Sequence, residues 1–385
     1  MPEFQGTIGT KLPRIGTTIF TVMSKLAAEH KAINLSQGFP DFDCPPDLIH
    51  AVHKAMKAGN NQYAPMAGVM KLREKIAEKT EDLYGAKYDP ETEITVTAGA
   101  TQAIYTAIAA IVREDDEVII FEPAYDCYEP AIELNGGKTI YLPLKTPDYN
   151  IDWNALKKVV NHHTRMIIIN SPHNPTGAIL SADDMKQLDK LTKNTDIIIL
   201  SDEVYEHIIF DNEAHLSMAK YPNLANRSFI ISSFGKTFHT TGWKIGYCLA
   251  PKQLMTEFRK VHQFLVFACN TPLQYGIAEF LRNKKHYEGL GSFYEKKRDK
   301  FIKLLKGSRF SLTPSAGTYF QLLRYGDISD EKDTDYAVRL IKEKGIAAIP
   351  ISVFYHMPVH DQVLRFCFAK KDETLEKAAE ILKKI

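Results

Sequence analysis

One serine and two lysines capable of chemistry, Ser233, Lys236 and Lys244, stand close together in the stretch Phe229 to Cys248, FIISSFGKTFHTTGWKIGYC. Two cations and a hydroxyl around one space suit an anionic ligand, and a lysine amine can bond covalently to a carbonyl. Phe229-Ile230-Ile231 reads as a short buried strand, with Ser232 to Lys236 as the turn leaving its carboxyl end. In a second strand, Trp243, Ile245, Tyr247 and Leu249 alternate with Lys244, Gly246, Cys248 and Ala250. That alternation predicts that Lys244 shares a face with three small residues and points into open space. An arbitrary lysine is a solvated surface charge; the flanking composition sets these two apart.

The elements upstream follow one pattern of strand, turn and helix. Ile94 to Ala98 is a strand, Gly99-Ala100-Thr101 a turn, and Ala103, Ile104, Ala107, Ile108 and Ile111 a helical face. Such a turn gathers unpaired N–H groups and a positive dipole end, which suits phosphate, although many strand–helix junctions bind nothing. Val118 to Phe121 is a strand followed by Tyr125. Arg165 to Asn170 is another, ending at Ser171-Pro172-His173-Asn174-Pro175-Thr176-Gly177. Ile197 to Leu200 ends at Asp202-Glu203-Val204-Tyr205. Near-continuous apolar strands alternating with helices predict a mostly parallel sheet covered on both faces. Ligands of such sheets lie beyond the carboxyl ends of the strands. Tyr125, Asn174, Asp202, Tyr205, Ser233 and Lys236 all fall there. Taken singly they are a loop tyrosine, a turn asparagine or a capping aspartate. Their convergence on one rim favours a site.

Length and composition narrow the classes. A chain of 385 residues predicts two parts with at least one large core. A formal net charge of +1 argues against nucleic acid or a membrane surface as the main partner. The five cysteines (Cys44, Cys127, Cys248, Cys269, Cys367) are odd in number and lack CxxC spacing. Neither a disulfide framework nor a metal site follows, and a cytoplasmic location is expected. Residues 1–14 carry no leader pattern, and no apolar run reaches membrane-spanning length.

The flanks read as a second, α+β part. Met1 to Pro13 is a loose arm, and Ile19, Val22, Met23, Leu26 and Ala27 make a helical face. Asn34 to Phe42, NLSQGFPDF, is a turn-rich loop in which Gly38 lets backbone approach a ligand. Helices are expected over Pro46 to Ala58 and Val69 to Tyr84, with the loop NQYAP, holding Tyr63, between them. After Phe280 a long helix over 284–305, broken near Gly289 or Gly291, leads to strands at 310–312 and 317–323. A helix over 336–344, strands at 346–351 and 363–369, and a helix over 373–384 complete the chain. In the strand VLRFCFA, Arg365 shares a face with Val363, Cys367 and Ala369. An arginine so placed commonly pairs with a protein carboxylate; a substrate carboxylate held bidentately is the preferred reading.

In this order NLSQGFPDF, NQYAP, TAGAT, HNPTG, SDEVYEH, SSFGKTFHTTGWKIGY and RFCFAK resemble the fold-type I, class I aminotransferases that bind pyridoxal phosphate (PLP). The likeness covers almost the whole chain and points to the methionine aminotransferase and kynurenine/glutamine transaminase subgroup. It implies an α/β fold: a large domain, 46–283, with a mostly parallel seven-stranded sheet, and a smaller domain from 1–45 and 284–385. It implies Lys236 as Schiff-base lysine and acid–base, Asp202 at the pyridine nitrogen, and Asn174 and Tyr205 at the phenolic oxygen. Tyr125 would stack on the ring; Gly99, Ala100, Thr101, Ser233 and Lys244 would hold the phosphate. Tyr63 would reach the phosphate of a neighbouring subunit, making the site a property of a homodimer. Arg365, Asn174 and Gly38 would take the carboxylate of an amino-acid or 2-oxo-acid substrate. Phe20, Phe39, Tyr125 and, across the dimer, Phe267 would wall its side chain. Lys244 stands where many members carry arginine; the subgroup shares the lysine. A carbon–sulfur β-lyase would keep nearly all these residues, and a non-catalytic amino-acid sensor is the remoter alternative.

Overall fold

The computed structural model of the chain describes residue 2 and residues 4–385. Seven strands form the main sheet, in the spatial order Ile94–Thr97, Gly246–Leu249, Ser228–Ser233, Ile198–Asp202, Thr164–Asn170, Glu117–Glu122 and Lys138–Pro143. Gly246–Leu249 runs antiparallel to both neighbours, and the remaining pairings are parallel. Successive side chains enter opposite cores: Ile119, Ile167, Ile199 and Ile230 on one face, Val118, Ile168, Leu200 and Phe229 on the other. That is why these strands read as unbroken apolar runs. Lys138–Pro143 gave no such signal, because this edge strand is half-exposed along much of its length.

The stretch around Lys244 corrects the expected strand. Thr241–Trp243 form a short 3-10 turn and Lys244 adopts the left-handed region, at φ 54°. Pairing starts only at Gly246. Lys244 is therefore aimed by a backbone kink, while the alternation holds from Ile245 onward, with Tyr247 and Leu249 in one core and Cys248 and Ala250 in the other.

A third core joins distant segments. Met23, Ala27 and Leu35 pack with Tyr294, Phe301, Tyr319, Phe366 and Leu375. Ile33–Asn34 pairs in parallel with Ile346–Ala347. Beside it, Val363–Cys367 lies antiparallel between Ile349–Pro350 and Phe320–Arg324. The expected strand over 346–351 is thus split between two sheets. That over 310–312 reduces to a single bridge, Ser311 with Arg324, and the one over 317–323 begins at Phe320. The helix expected over 336–344 starts earlier, at Asp333, and its last turn, Leu340–Lys344, widens to π geometry. The break in the long helix falls at Gly289, between Lys285–Glu288 and Leu290–Leu304.

Helices Pro46–Lys57 and Thr271–Phe280 cross closely at a glycine. A Cβ on Gly276 would lie 2.9 Å from both the backbone N and Cα of Val52. Backbone cannot swing aside as a side chain does, so Gly276→Ala should lower unfolding stability by about 1–3 kcal/mol in denaturant titration. An unchanged midpoint would show that the crossing can open at no cost.

Candidate active site

Five strand ends deliver the site. Gly99, Ala100, Thr101, Tyr125, Asn174, Asp202, Tyr205, Ser233, Lys236 and Lys244 line one cavity of about 150 Å³. Its floor is the start of helix Ala100–Ile111, where Gly99, at φ 80°, occupies the N-cap without any side-chain cap. A twelve-residue helix with bare leading N–H groups attracts an anion. The Lys244 Nζ lies over this turn, 3.4 Å from where a Gly99 Cβ would stand. Gly246 lets the strand pass beneath: its Cβ would sit 2.7 Å from the Ser232 carbonyl and 3.2 Å from the Ala100 nitrogen. Phosphate or carboxylate chemistry fits this end.

At the opposite end Asp202 is 3% exposed. Its Oδ2 accepts a 2.6 Å hydrogen bond from the Tyr128 hydroxyl, and its Oδ1 accepts one of 3.3 Å from the Val204 N–H. Burial pushes its carboxyl up to about 6, against the opposing pull of Tyr128, the Val204 N–H and Lys236. A carboxylate held this way is completed by a cationic N–H. Asn170, its partner in the sheet, donates to the Asp202 carbonyl at 2.9 Å and accepts from the Asn174 N–H at 2.8 Å. One asparagine thus sets the positions of both neighbours.

Lys236 lies between these ends. Its Nζ donates to the Gly38 carbonyl at 3.1 Å and to the Tyr319 hydroxyl at 2.9 Å, close to the faces of Tyr205 and Tyr319. The Tyr319 hydroxyl itself donates to the Gly38 carbonyl. Burial lowers the Lys236 ammonium to about 8, helped by the positive charges of Arg365 and Lys244 and opposed by Asp202.

Arg365 is 1% exposed. It donates to the Asn174 Oδ1 at 2.8 Å and the Ser36 carbonyl at 3.1 Å, and its guanidinium stacks 3.9 Å from the Phe320 centroid. Phe20 and Phe354 stand 5.3 and 5.5 Å away. Its Nε is buried without a partner. Among the described residues no carboxylate forms an ion pair with it, so the common alternative of a protein carboxylate is not what the structure holds.

Three expected residues stand apart. Phe39 is half-exposed under Lys370, whose Nζ donates to the Phe39 carbonyl. Tyr63 and Phe267 are 81% and 59% exposed and meet edge to face at 5.1 Å. Sequence reasoning passed over Tyr128, Asn170, Tyr319 and Phe320. Tyr128 follows Tyr125 by one helical turn, a spacing that carried the signal for it.

The lowered lysine has a direct consequence. In cofactor-free protein, acylation of Lys236 by an amine-directed reagent should rise with pH around a midpoint of about 8, because only the neutral amine reacts. A midpoint near 10.5 would mean that burial leaves this amine unperturbed.

The model of the family described as aminotransferase class I and II matches residues 30–382. Over 377 residues the chain is 48% identical to the methionine aminotransferase of Escherichia coli (strain K12), with 98% of each chain covered. A crystal structure from Escherichia coli, of an enzyme with methionine aminotransferase function, superposes with a TM-score of 0.97 over 98% of this chain and 100% of that one. N-succinyldiaminopimelate aminotransferase from Mycobacterium tuberculosis gives 0.95 at 37% identity, over 98% and 100% of the two chains. Human kynurenine–oxoglutarate transaminase 1 is 34% identical over 398 residues, 94% of each chain. With a family model spanning residues 30–382 and relatives this similar along their length, the chain belongs to the class I and II aminotransferases.

Proposed function

We propose that this aminotransferase holds pyridoxal phosphate in the cavity and moves the α-amino group of methionine, or a similar apolar or aromatic amino acid, to a 2-oxo acid. The observation that carries the reading is one cavity joining an uncapped helix N-terminus, a buried carboxylate and a lysine amine. That donor set fits a phosphorylated pyridine aldehyde at each end. The N–H groups of Gly99, Ala100 and Thr101, with Ser233 and Lys244, take the phosphate; Asp202 keeps the ring nitrogen protonated. Asn174 and Tyr205 serve the phenolic oxygen, and Tyr125 covers the ring face. When bound, the cofactor supplies an electron sink for the pair released at the substrate's α-carbon. Lys236 would be its covalent anchor and, once displaced by the substrate's amine, the proton carrier: its free amine takes the α-proton and, as the ammonium, gives it back. Arg365 and the Gly38 backbone orient the substrate carboxylate.

Specificity falls to what surrounds the side chain. Phe20, Phe354 and Phe320 surround the Arg365 guanidinium, and aromatic faces suit a thioether or another ring. The lining cations are Lys236 and Lys244, which the cofactor engages. A side-chain carboxylate would therefore be buried without a partner. The identity to the Escherichia coli enzyme supports methionine first, and the kynurenine transaminase relative supports aromatic substrates beside it.

A homodimer is the further proposal. Tyr63, Phe264 and Phe267 expose apolar surface, and Phe267 holds a left-handed φ of 66°, a strained conformation for an aromatic residue. Covered by a second copy, Tyr63 and Phe267 would complete the partner's phosphate and side-chain walls. The cores support the division into 46–283 and 1–45 with 284–385 in the main, with Tyr205, Ile208 and Phe210 packing into the third core and Tyr287 into one of the main sheet's. Five free cysteines accord with a reducing cytoplasm.

With a common oxo acid, kcat/KM for methionine should exceed that for aspartate by about a hundredfold or more. Aspartate equal to methionine would overturn the apolar pocket. Pyruvate and ammonia released from cysteine conjugates, without turnover of the oxo acid, would mark a β-lyase instead.

Mixing Lys236→Ala chains with Tyr63→Phe chains should restore up to about one active site per mixed dimer, each parent being impaired. No recovery in mixtures shown to exchange subunits would count against shared sites.

A further inference from the structure

We propose that Tyr128 is a positioning residue of the reaction: its hydroxyl fixes the orientation and charge of the Asp202 carboxylate. The proposal rests on the assignment of Asp202 to the ring nitrogen. It adds the group that makes this carboxylate fit for that task.

The geometry is specific. The Tyr128 hydroxyl lies 2.6 Å from Asp202 Oδ2, the shorter of the two side-chain hydrogen bonds at this carboxylate. Short contacts between a hydroxyl and an ionised oxygen are among the stronger hydrogen bonds. The tyrosine is itself 3% exposed and packs in the core that contains Ile120, Ile168 and Phe229, so its ring cannot swing away. Burial and the neighbouring Asp202 charge hold its own proton far more tightly than in a free phenol. It remains a donor wherever the enzyme works.

Backbone geometry links it to the cofactor face. Tyr128 opens helix Tyr128–Leu134, its N–H donates to the Tyr125 carbonyl at 3.2 Å, and the two rings meet edge to face at 5.8 Å. One turn therefore presents Tyr125 to the cavity and Tyr128 to the carboxylate beside it. Ile120, in the strand preceding this turn, packs in the same core as Tyr128.

The other groups facing Asp202 do not duplicate this contact. Lys236 approaches from the turn after Ser233 and favours the ionised form. Cys127 and Tyr125, from the same segment as Tyr128, feel the Asp202 charge as unfavourable to their own ionisation. Glu203, next along the chain, raises the Asp202 carboxyl. Losing the phenol proton would leave burial and Glu203 opposed only by Lys236 and the longer Val204 contact. Asp202 would then hold its proton to higher pH.

Tyr128→Phe keeps the ring that fills the core and removes only the donor. In cofactor-free protein labelled with carboxyl-13C aspartate, the Asp202 resonance, identified by its loss in Asp202→Asn, should titrate about one unit higher in Tyr128→Phe. Loaded with cofactor, Tyr128→Phe should lose about tenfold in kcat with the KM for the amino acid little changed, the same unit expressed as a rate. In an Asp202→Asn background the same change should cost nothing further, since the carboxylate it serves is gone. Thermal unfolding of Tyr128→Phe near the parent temperature confirms that the variant is folded. An unmoved Asp202 titration, or a full additional loss in Asp202→Asn, overturns the proposal. Failure of the ring-nitrogen assignment reads differently: Asp202→Asn alone would then stay active.

Discussion

A guanidinium with almost no exposure and, among the described residues, no carboxylate partner is the constraint on which the rest of this structure depends. An isolated buried charge is costly, and it persists only where surrounding groups over-determine it. Arg365 comes from the smaller sheet, Ser36 from the N-terminal loop, Asn174 from the turn after a main-sheet strand, and Phe320 from the strand paired with its own. Four separate segments must therefore be in register before the cation is tolerable. Its ligands are a carbonyl, an amide oxygen and a ring face, none of which cancels a full charge. An anion that brings its own carboxylate would complete the set, which is the physical ground for the proposed role of Arg365 toward the substrate carboxylate.

How much of this was legible in the sequence follows from which forces leave a local mark. Strands buried on both faces write unbroken apolar runs, so the centre of the main sheet and the rim residues beyond it, Asn174, Asp202, Ser233 and Lys236, could be placed from the chain alone. The edge strand Lys138–Pro143 escaped notice because solvent on one side removes that mark. Lys244 was aimed correctly for the wrong reason: it reaches the phosphate-suited turn through a left-handed residue. Tyr319 and Phe320 sit in a stretch that reads as an ordinary strand start; the crossing of the N-terminal loop brings Gly38 to Tyr319, and antiparallel pairing with Val363–Cys367 brings Arg365 to Phe320. Contacts between segments hundreds of residues apart leave no spacing to read.

The same logic explains why the two ends of the cavity hold opposite demands without conflict. A cationic helix start with Lys244 wants negative charge, while the Asp202 end wants positive. Lys236 stands between them, its ammonium weakened by burial and by the cations on either side. A lysine nearer Asp202 would be locked as an ion pair; one nearer the helix start would compete with Lys244. The intermediate position leaves the amine able to lose and regain a proton near neutral pH, which is what a proton carrier needs.

The segment SDEVYEH shows how that poise is held in place. Asp202 and Tyr205 face the cavity, whereas Glu203 and Glu206 turn away into the protein. Glu206 accepts from Lys79 at 2.8 Å, Tyr84 at 2.6 Å and Tyr247 at 3.0 Å; Glu203 accepts from Ser201, the Met218 N–H and His215. The Lys79 charge and these donors hold the Glu206 carboxyl far below its usual range despite burial. A buried pair of this kind adds little net stability over apolar packing, yet it is strongly directional. Both glutamates accept from partners outside the segment, and Glu203 also from Ser201 within it, so the turn between them has little freedom to rotate. Asp202 and Tyr205 inherit that rigidity. The motif is therefore half chemistry and half brace, and its two acidic braces are as much a condition of the site as the residues that touch the cavity.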